Sequence, residues 1–106
     1  MADENTDRAS AIATIQVDND RVRVVEWAFT PGAETGQHVH EWDYVVVPQT
    51  DGILKLETPD GETNAELLAG QSYYRQAGVS HNVINAGVAD LVFVEIEMKA
   101  HPIAGE

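Results

Sequence analysis

The chain has 106 residues, with 18 acidic against 6 basic side chains, a formal net charge of −12 and no cysteine. This size suits one domain, and the charge excludes a nucleic-acid-binding or anionic-membrane surface as the default, since both need clustered Lys and Arg. The lack of cysteine excludes a disulfide framework, a thiol nucleophile and a zinc–thiolate site, while an apolar fraction of 43% is too high for a disordered acidic chain.

Residues 1–10 (MADENTDRAS) carry three acids and no apolar run, so they do not read as a signal peptide. No stretch approaches the ~20 apolar residues of a membrane span. The expectation is a soluble, cytoplasmic protein in which residues 1–12 form a frayed arm, 13–100 the folded body and 101–106 a tail. Extended segments follow the arm. Ile15–Val17 stops at Asp18-Asn19-Asp20, and Val22–Thr30 ends at Pro31-Gly32. Glu41–Pro48 comes next, then Ile53–Thr58, turned by Pro59-Asp60-Gly61 so that Thr63–Leu68 can return beside it. Gln71–Arg75, His81–Ile84 and Leu91–Met98 complete the series. No convincing helix intervenes. Seven to nine short strands, with turn signals about every 8–12 residues, predict a single all-β domain built as a sandwich or barrel.

Alternation assigns faces on the last strand. Glu95 and Glu97 share one side, and Val94, Ile96 and Met98 the other. The simplest expectation buries the apolar set and solvates the acids, with an inward Glu95 as the alternative. Trp27, Phe29, Trp42 and Phe93 are expected in the core or on a pairing surface.

Four histidines are the chemically informative residues. On a strand, His38 and His40 point the same way, about 7 Å apart at Cα, which lets one metal take both nitrogens at about 2.0–2.2 Å. His81 can supply a third ligand by facing His40 across a barrel interior, whereas His101 sits in the tail and reads as solvated. Tyr44 and Trp42 have the parity to join the pair, and Glu41 does not. A single histidine is more often a surface or core residue than a ligand, and a His-x-His pair alone is weak. The surrounding glycines shift that balance.

Gly32 is followed by five residues, His38-Val39-His40, three more residues, Tyr44, and later Gly52. Gly70 is followed by five residues, Gln76-Ala77-Gly78, two residues, His81, three residues and Asn85. In these two motifs the sequence resembles the cupin superfamily, with Gln76 where proline is usual and Tyr44 where a carboxylate ligand is usual. Segments such as EWDYVVVP and GQSYYRQAGVSHNVINAG look like small bacterial single-domain cupins of beta-alanine degradation.

The resemblance implies a double-stranded β-helix, a jelly-roll-like barrel that pairs as a homodimer. It implies a divalent transition metal in the wider mouth, held by His38, His40 and His81 without a carboxylate. Fe(II) is favoured, with Ni, Zn, Cu or Mn as alternatives. Tyr44 would stand beside the metal as a hydrogen-bonding hydroxyl, bind it as phenolate, or only fill volume. Arg75 and Tyr73 would point into the barrel. Arg75 would then hold an anionic small-molecule substrate, unless it pairs with Glu95 or Glu97 or lies at the rim. The expected function is an oxygenase-type enzyme, three-His and dioxygenase-like, on a small carboxylate or β-dicarbonyl compound, within beta-alanine catabolism. The alternatives are a non-enzymatic ligand-binding or sensor module, and a metal-dependent isomerase or lyase using Tyr73, Glu95 or a metal-bound hydroxide as base.

Overall fold

A computed structural model describes residues 8–99, so His101, residues 1–7 of the expected arm and the whole expected tail lie outside the described residues. Nine strands form: β1 (Ile12–Asp18), β2 (Val22–Phe29), β3 (His38–Val39), β4 (Asp43–Pro48), β5 (Gly52–Thr58), β6 (Gly61–Leu67), β7 (Tyr73–Arg75), β8 (Ser80–Asn85) and β9 (Leu91–Met98). They build two antiparallel sheets, ordered β1-β2-β9-β4-β7 and β3-β8-β5-β6, in a jelly-roll-like sandwich. Among the described residues there is no helix, and so none long and apolar enough to cross a membrane.

The turn chemistry places the strand ends. Asn19 Oδ1 accepts from the Arg21 and Val22 amides, which closes the β1–β2 corner. Gly61, at φ +120°, ends the tight β5–β6 connection after Pro59-Asp60. β1 is longer than the Ile15–Val17 segment read from the sequence, because pairing with Arg23–Ala28 extends it and a register shift between Ile15 and Val17 interrupts its alternation. The chain just before β1 runs beside Glu34: the Ala11 amide donates to Glu34 O at 2.8 Å, and the Glu34 amide to Ala9 O at 2.9 Å.

The core lies between the sheets, formed by Phe29, Tyr44, Val46, Leu54, Leu67, Val83, Leu91 and Phe93 around Ala33. Phe29 and Phe93 stack at 5.4 Å between ring centroids. These two rings and Leu91 decide which face of β9 points inward. The expectation for β9 is therefore corrected. Leu91, Phe93 and Glu95 are buried and Glu97 is half-buried on the inner face, while Val92, Val94 and Ile96 are half-buried on the outer one and Met98 is exposed. A strand has one inward parity, and the larger payload of Leu91 and Phe93 carries the two acids in with it.

Register turns this parity into polar rows. Arg23 lies opposite Glu97, Glu97 opposite Tyr44, and Tyr44 opposite Arg75, across β2, β9, β4 and β7. The next row is Val25, Glu95, Val46 and Tyr73. One end of the sandwich is thus apolar, and the other collects ionisable side chains.

Candidate metal centre

Two elements deliver the histidines to the polar end. β3 and β8 pair antiparallel with His38 directly opposite His81, so both side chains leave the same face. Beyond β3 the ladder continues: the His40 amide donates to Val79 O at 2.9 Å and the Gly78 amide to His40 O at 2.8 Å. Gly78 has a φ of +96°, which a side chain would strain, so this position of the loop suits glycine. His81 is therefore a same-sheet neighbour of His38, not a residue opposed to His40 across the barrel.

The three rings converge. His40 Nε2 lies 3.1 Å from His38 Nε2 and 3.2 Å from His81 Nε2. His40 and His81 are buried, and His38 is half-buried. One ion at about 2.1 Å from each nitrogen would see them about 95–100° apart, between octahedral and tetrahedral angles. Hydrogen bonds fix the tautomers that such an ion requires. His38 Nδ1 donates to Gly36 O at 2.8 Å, and His40 Nδ1 to Glu97 Oε2 at 3.4 Å. With both rings neutral, these contacts leave the two Nε2 lone pairs facing each other, an arrangement that a cation between them would relieve. The donor set fits a divalent transition metal.

Burial acts on these groups together. It pulls His40 down to about 4, helped by the charges His38 and His81 would carry, and His81 likewise to about 4. Neutral, ligating imidazoles are thus favoured at pH 7. Burial and the neighbouring Glu97 push Glu95 up to about 7, and burial also raises Glu97. Glu95 Oε2 stands 3.9 Å from His40 Nε2, and His40, Glu95 and Glu97 form a second group with metal-ligating capacity. The sequence reading did not place Glu97 at the site and held an inward Glu95 only as the alternative to solvated acids. The signal was present in the parity of Leu91 and Phe93.

Tyr44 is buried with its ring stacked on His40, 3.9 Å between centroids and 18° between planes. Burial and Glu95 raise its hydroxyl above the usual phenol range, which disfavours a phenolate ligand. Tyr73 lines a cavity of about 140 Å³ with Tyr44, His81 and Glu95, and burial raises its hydroxyl too. Arg75 borders the same cavity but is exposed: its Nη1 donates to Tyr74 O at 2.9 Å, and its guanidinium lies 4.5 Å from the centre of the Tyr73 ring. Of the open choices for Arg75, the structure places it at the rim. A second cavity of about 300 Å³ opens on the His38 and His40 side, beneath β1 and β2, with Arg23, Trp27, Glu95 and Glu97 in its walls.

A half-buried polar network around the buried Asn82 steadies the loop before His38. Asn82 donates to Glu34 at 2.8 Å and to Glu57 at 3.0 Å, and accepts from the Gly36 amide at 3.0 Å. Arg8 completes it, 3.1 Å from Glu34 and 3.4 Å from Glu57.

Comparison with known proteins agrees with this geometry. A family model described as Cupin domain matches residues 25–97. The Beta-alanine degradation protein BauB of Pseudomonas aeruginosa is 62% identical over 92 residues, which cover 87% of this chain and 97% of that protein. The crystal structure of a cupin domain from Bordetella pertussis Tohama I is 58% identical, with a TM-score of 0.86 over 88% of this chain and 97% of its own. A cupin superfamily protein of Desulfitobacterium hafniense DCB-2 shares the fold alone, with a TM-score of 0.69 at 13% identity over 88% of this chain and 81% of its own.

Proposed function

The chain belongs to the cupin domain family, and on that premise we propose that it is a metal-dependent enzyme of oxygenase type acting on a small carboxylate or β-dicarbonyl compound. The carrying observation is the convergence of three imidazole nitrogens, with His40 Nε2 3.1 Å from His38 Nε2 and 3.2 Å from His81 Nε2. His38, His40 and His81 hold the ion, for which Fe(II) is favoured. When bound, such an ion polarises ligand oxygens and, as Fe(II), supplies electrons for dioxygen chemistry.

The chain's own residues then have distinct tasks. Glu97 holds the His40 ring in its ligating tautomer. Tyr44 covers one face of that ring and excludes water from it. Glu95, with its pKa near neutrality, gives or takes a proton where both cavities meet. The name of the Pseudomonas aeruginosa relative supports a place in the breakdown of beta-alanine, in the cytoplasm. A second copy of the chain is the proposed partner of β1, an edge strand whose Ile12 and Ile15 are 67% and 54% exposed. Light scattering tests that pairing.

Metal analysis of protein purified without chelator tests the centre. About one ion per chain, lost in His81→Ala, is expected; folded protein that takes up no ion overturns the reading. Oxygen consumption by the Fe(II)-loaded protein with β-dicarbonyl and three-carbon acids tests the reaction type. The buried Glu95 favours one second reading, a metal-dependent isomerase or lyase with that carboxyl as base. Turnover of the same compounds without oxygen uptake would select it.

A further inference from the structure

We propose that the carboxylate of the substrate is held by Arg23 in the cavity beneath β1 and β2, and not by Arg75 at the barrel rim. The proposal rests on the metal-dependent reading above and names the side from which the ligand reaches that centre.

Arg23 and Arg75 lie in the same row, separated by Glu97 and Tyr44, and Asp18 of β1 lies opposite Arg23 on its other side. Their situations differ. The Arg75 guanidinium is exposed, lies over the Tyr73 ring and has Nη1 committed to Tyr74 O. Exposed guanidinium–anion contacts contribute little. Arg23 is half-buried in the wall of the larger cavity, and its Nε is buried without a hydrogen-bond partner among the described residues. A buried donor left without an acceptor is unfavourable until a ligand oxygen satisfies it. A planar guanidinium is also the group best matched to a carboxylate through two parallel hydrogen bonds.

The same cavity contains two of the three converging imidazoles, His38 and His40, whereas the smaller cavity reaches only His81. A short acid lying in the larger cavity can therefore place one end at the histidine centre and the other at Arg23. Charge counting agrees. Even with Glu95 and Glu97 both ionised, the walls stand at −1 after Arg23, and a divalent ion brings the cavity to +1 or more. The ligand class is a small aliphatic acid carrying a second oxygen function a few atoms from its carboxylate.

The test uses the Ni(II)-loaded, full-length protein and calorimetric titration with two probes. Malonate offers a chelating oxygen pair plus a spare carboxylate oxygen pair, and acetylacetone offers chelation without a carboxylate. In Arg23→Gln, malonate affinity is expected to fall about tenfold or more with acetylacetone affinity unchanged, and Arg23→Lys should restore part of the loss. Arg75→Gln should leave both affinities as they were. Equal malonate affinity in wild type and Arg23→Gln overturns the proposal, as does loss of malonate binding confined to Arg75→Gln or no malonate binding by the loaded wild type. Metal content measured on the same samples separates the two failures. Protein that takes up no ion overturns the underlying reading as well, whereas loaded protein indifferent to Arg23 overturns only the anchoring role.

Discussion

Glu97 Oε2 lies 3.4 Å from His40 Nδ1 and brings a carboxylate from β9 to a ring that begins 57 residues earlier in the chain. This contact holds the proton on Nδ1 and leaves Nε2 free to ligate. Glu97→Gln should lower metal affinity about 10- to 100-fold while the fold persists. Competition titration against a chelator, with circular dichroism as the folding control, checks it; an unchanged affinity would mean that the ring is held by packing on Tyr44 alone.

Tyr44 packs against the centre without being suited to ligation, since burial raises its hydroxyl above the usual range. Tyr44→Phe should retain the full metal content and show the same Fe(III) visible spectrum, without loss of a phenolate charge-transfer band. Tyr44→Ala removes a fully buried ring and should cost about 3–5 kcal/mol in denaturant unfolding. A purple Fe(III) form in wild type that bleaches in Tyr44→Phe would make the tyrosine a ligand after all.

The all-β class was legible because strand and turn signals are local. Pro31-Gly32, Pro59-Asp60-Gly61 and Asp18-Asn19-Asp20 each break the chain where the strands end. The meeting of His38, His40 and His81 was legible through two spaced motifs, although their actual adjacency depends on β3–β8 pairing, which is non-local. Glu97 and Arg23 were not placed at the site, and Glu95 entered it only as an alternative, for one shared reason. Reading β9 from Val94 onward weighs three apolar residues against two acids and chooses the wrong face. Only the buried Leu91 and Phe93, with Phe29 opposite Leu91 on β2, fix the parity that turns Glu95, Glu97 and Arg23 inward.

Two buried asparagines in β8 should separate stability from metal affinity. Asn85 donates to Ala89 O at 2.9 Å and to Phe29 O at 3.4 Å and accepts from the Gly87 amide at 3.0 Å, side-chain contacts that touch neither the three histidines nor the loop before His38. Asn85→Ala should cost about 1–3 kcal/mol and leave metal affinity unchanged. Asn82 instead grips the Gly36 amide, two residues before His38, and both carboxylates of the Arg8 network. Asn82→Ala should cost a similar amount and also weaken metal binding. Equal chelator competition by the two variants would show that the loop before His38 is held without Asn82.

The stability of the metal-free protein should rise from about pH 4.5 and level off near pH 7, because its buried groups shift in opposing senses. His40 and His81 titrate at about 4 in the folded chain against 6.5 ordinarily, so the unfolded chain binds more protons between those values. Their contribution is complete above pH 6.5 and is lost as pH falls toward 4. Glu95 titrates at about 7 against 4.5, so here the folded chain binds the extra proton. Its contribution is complete below pH 4.5 and is lost as pH rises through 7. Two protons against one leave a net gain in stability, with a slope of about one proton, from about pH 4.5 to 6.5 that fades out near pH 7. Thermal melts of metal-free protein from pH 4 to 8 should trace this shape. Glu95→Gln should steepen the rise between about pH 4.5 and 6.5, since the opposing Glu95 proton is gone. Superimposable wild-type and Glu95→Gln profiles would show that the Glu95 carboxyl is already ionised in the folded protein at pH 6, stripping it of the proton-carrying role assigned above.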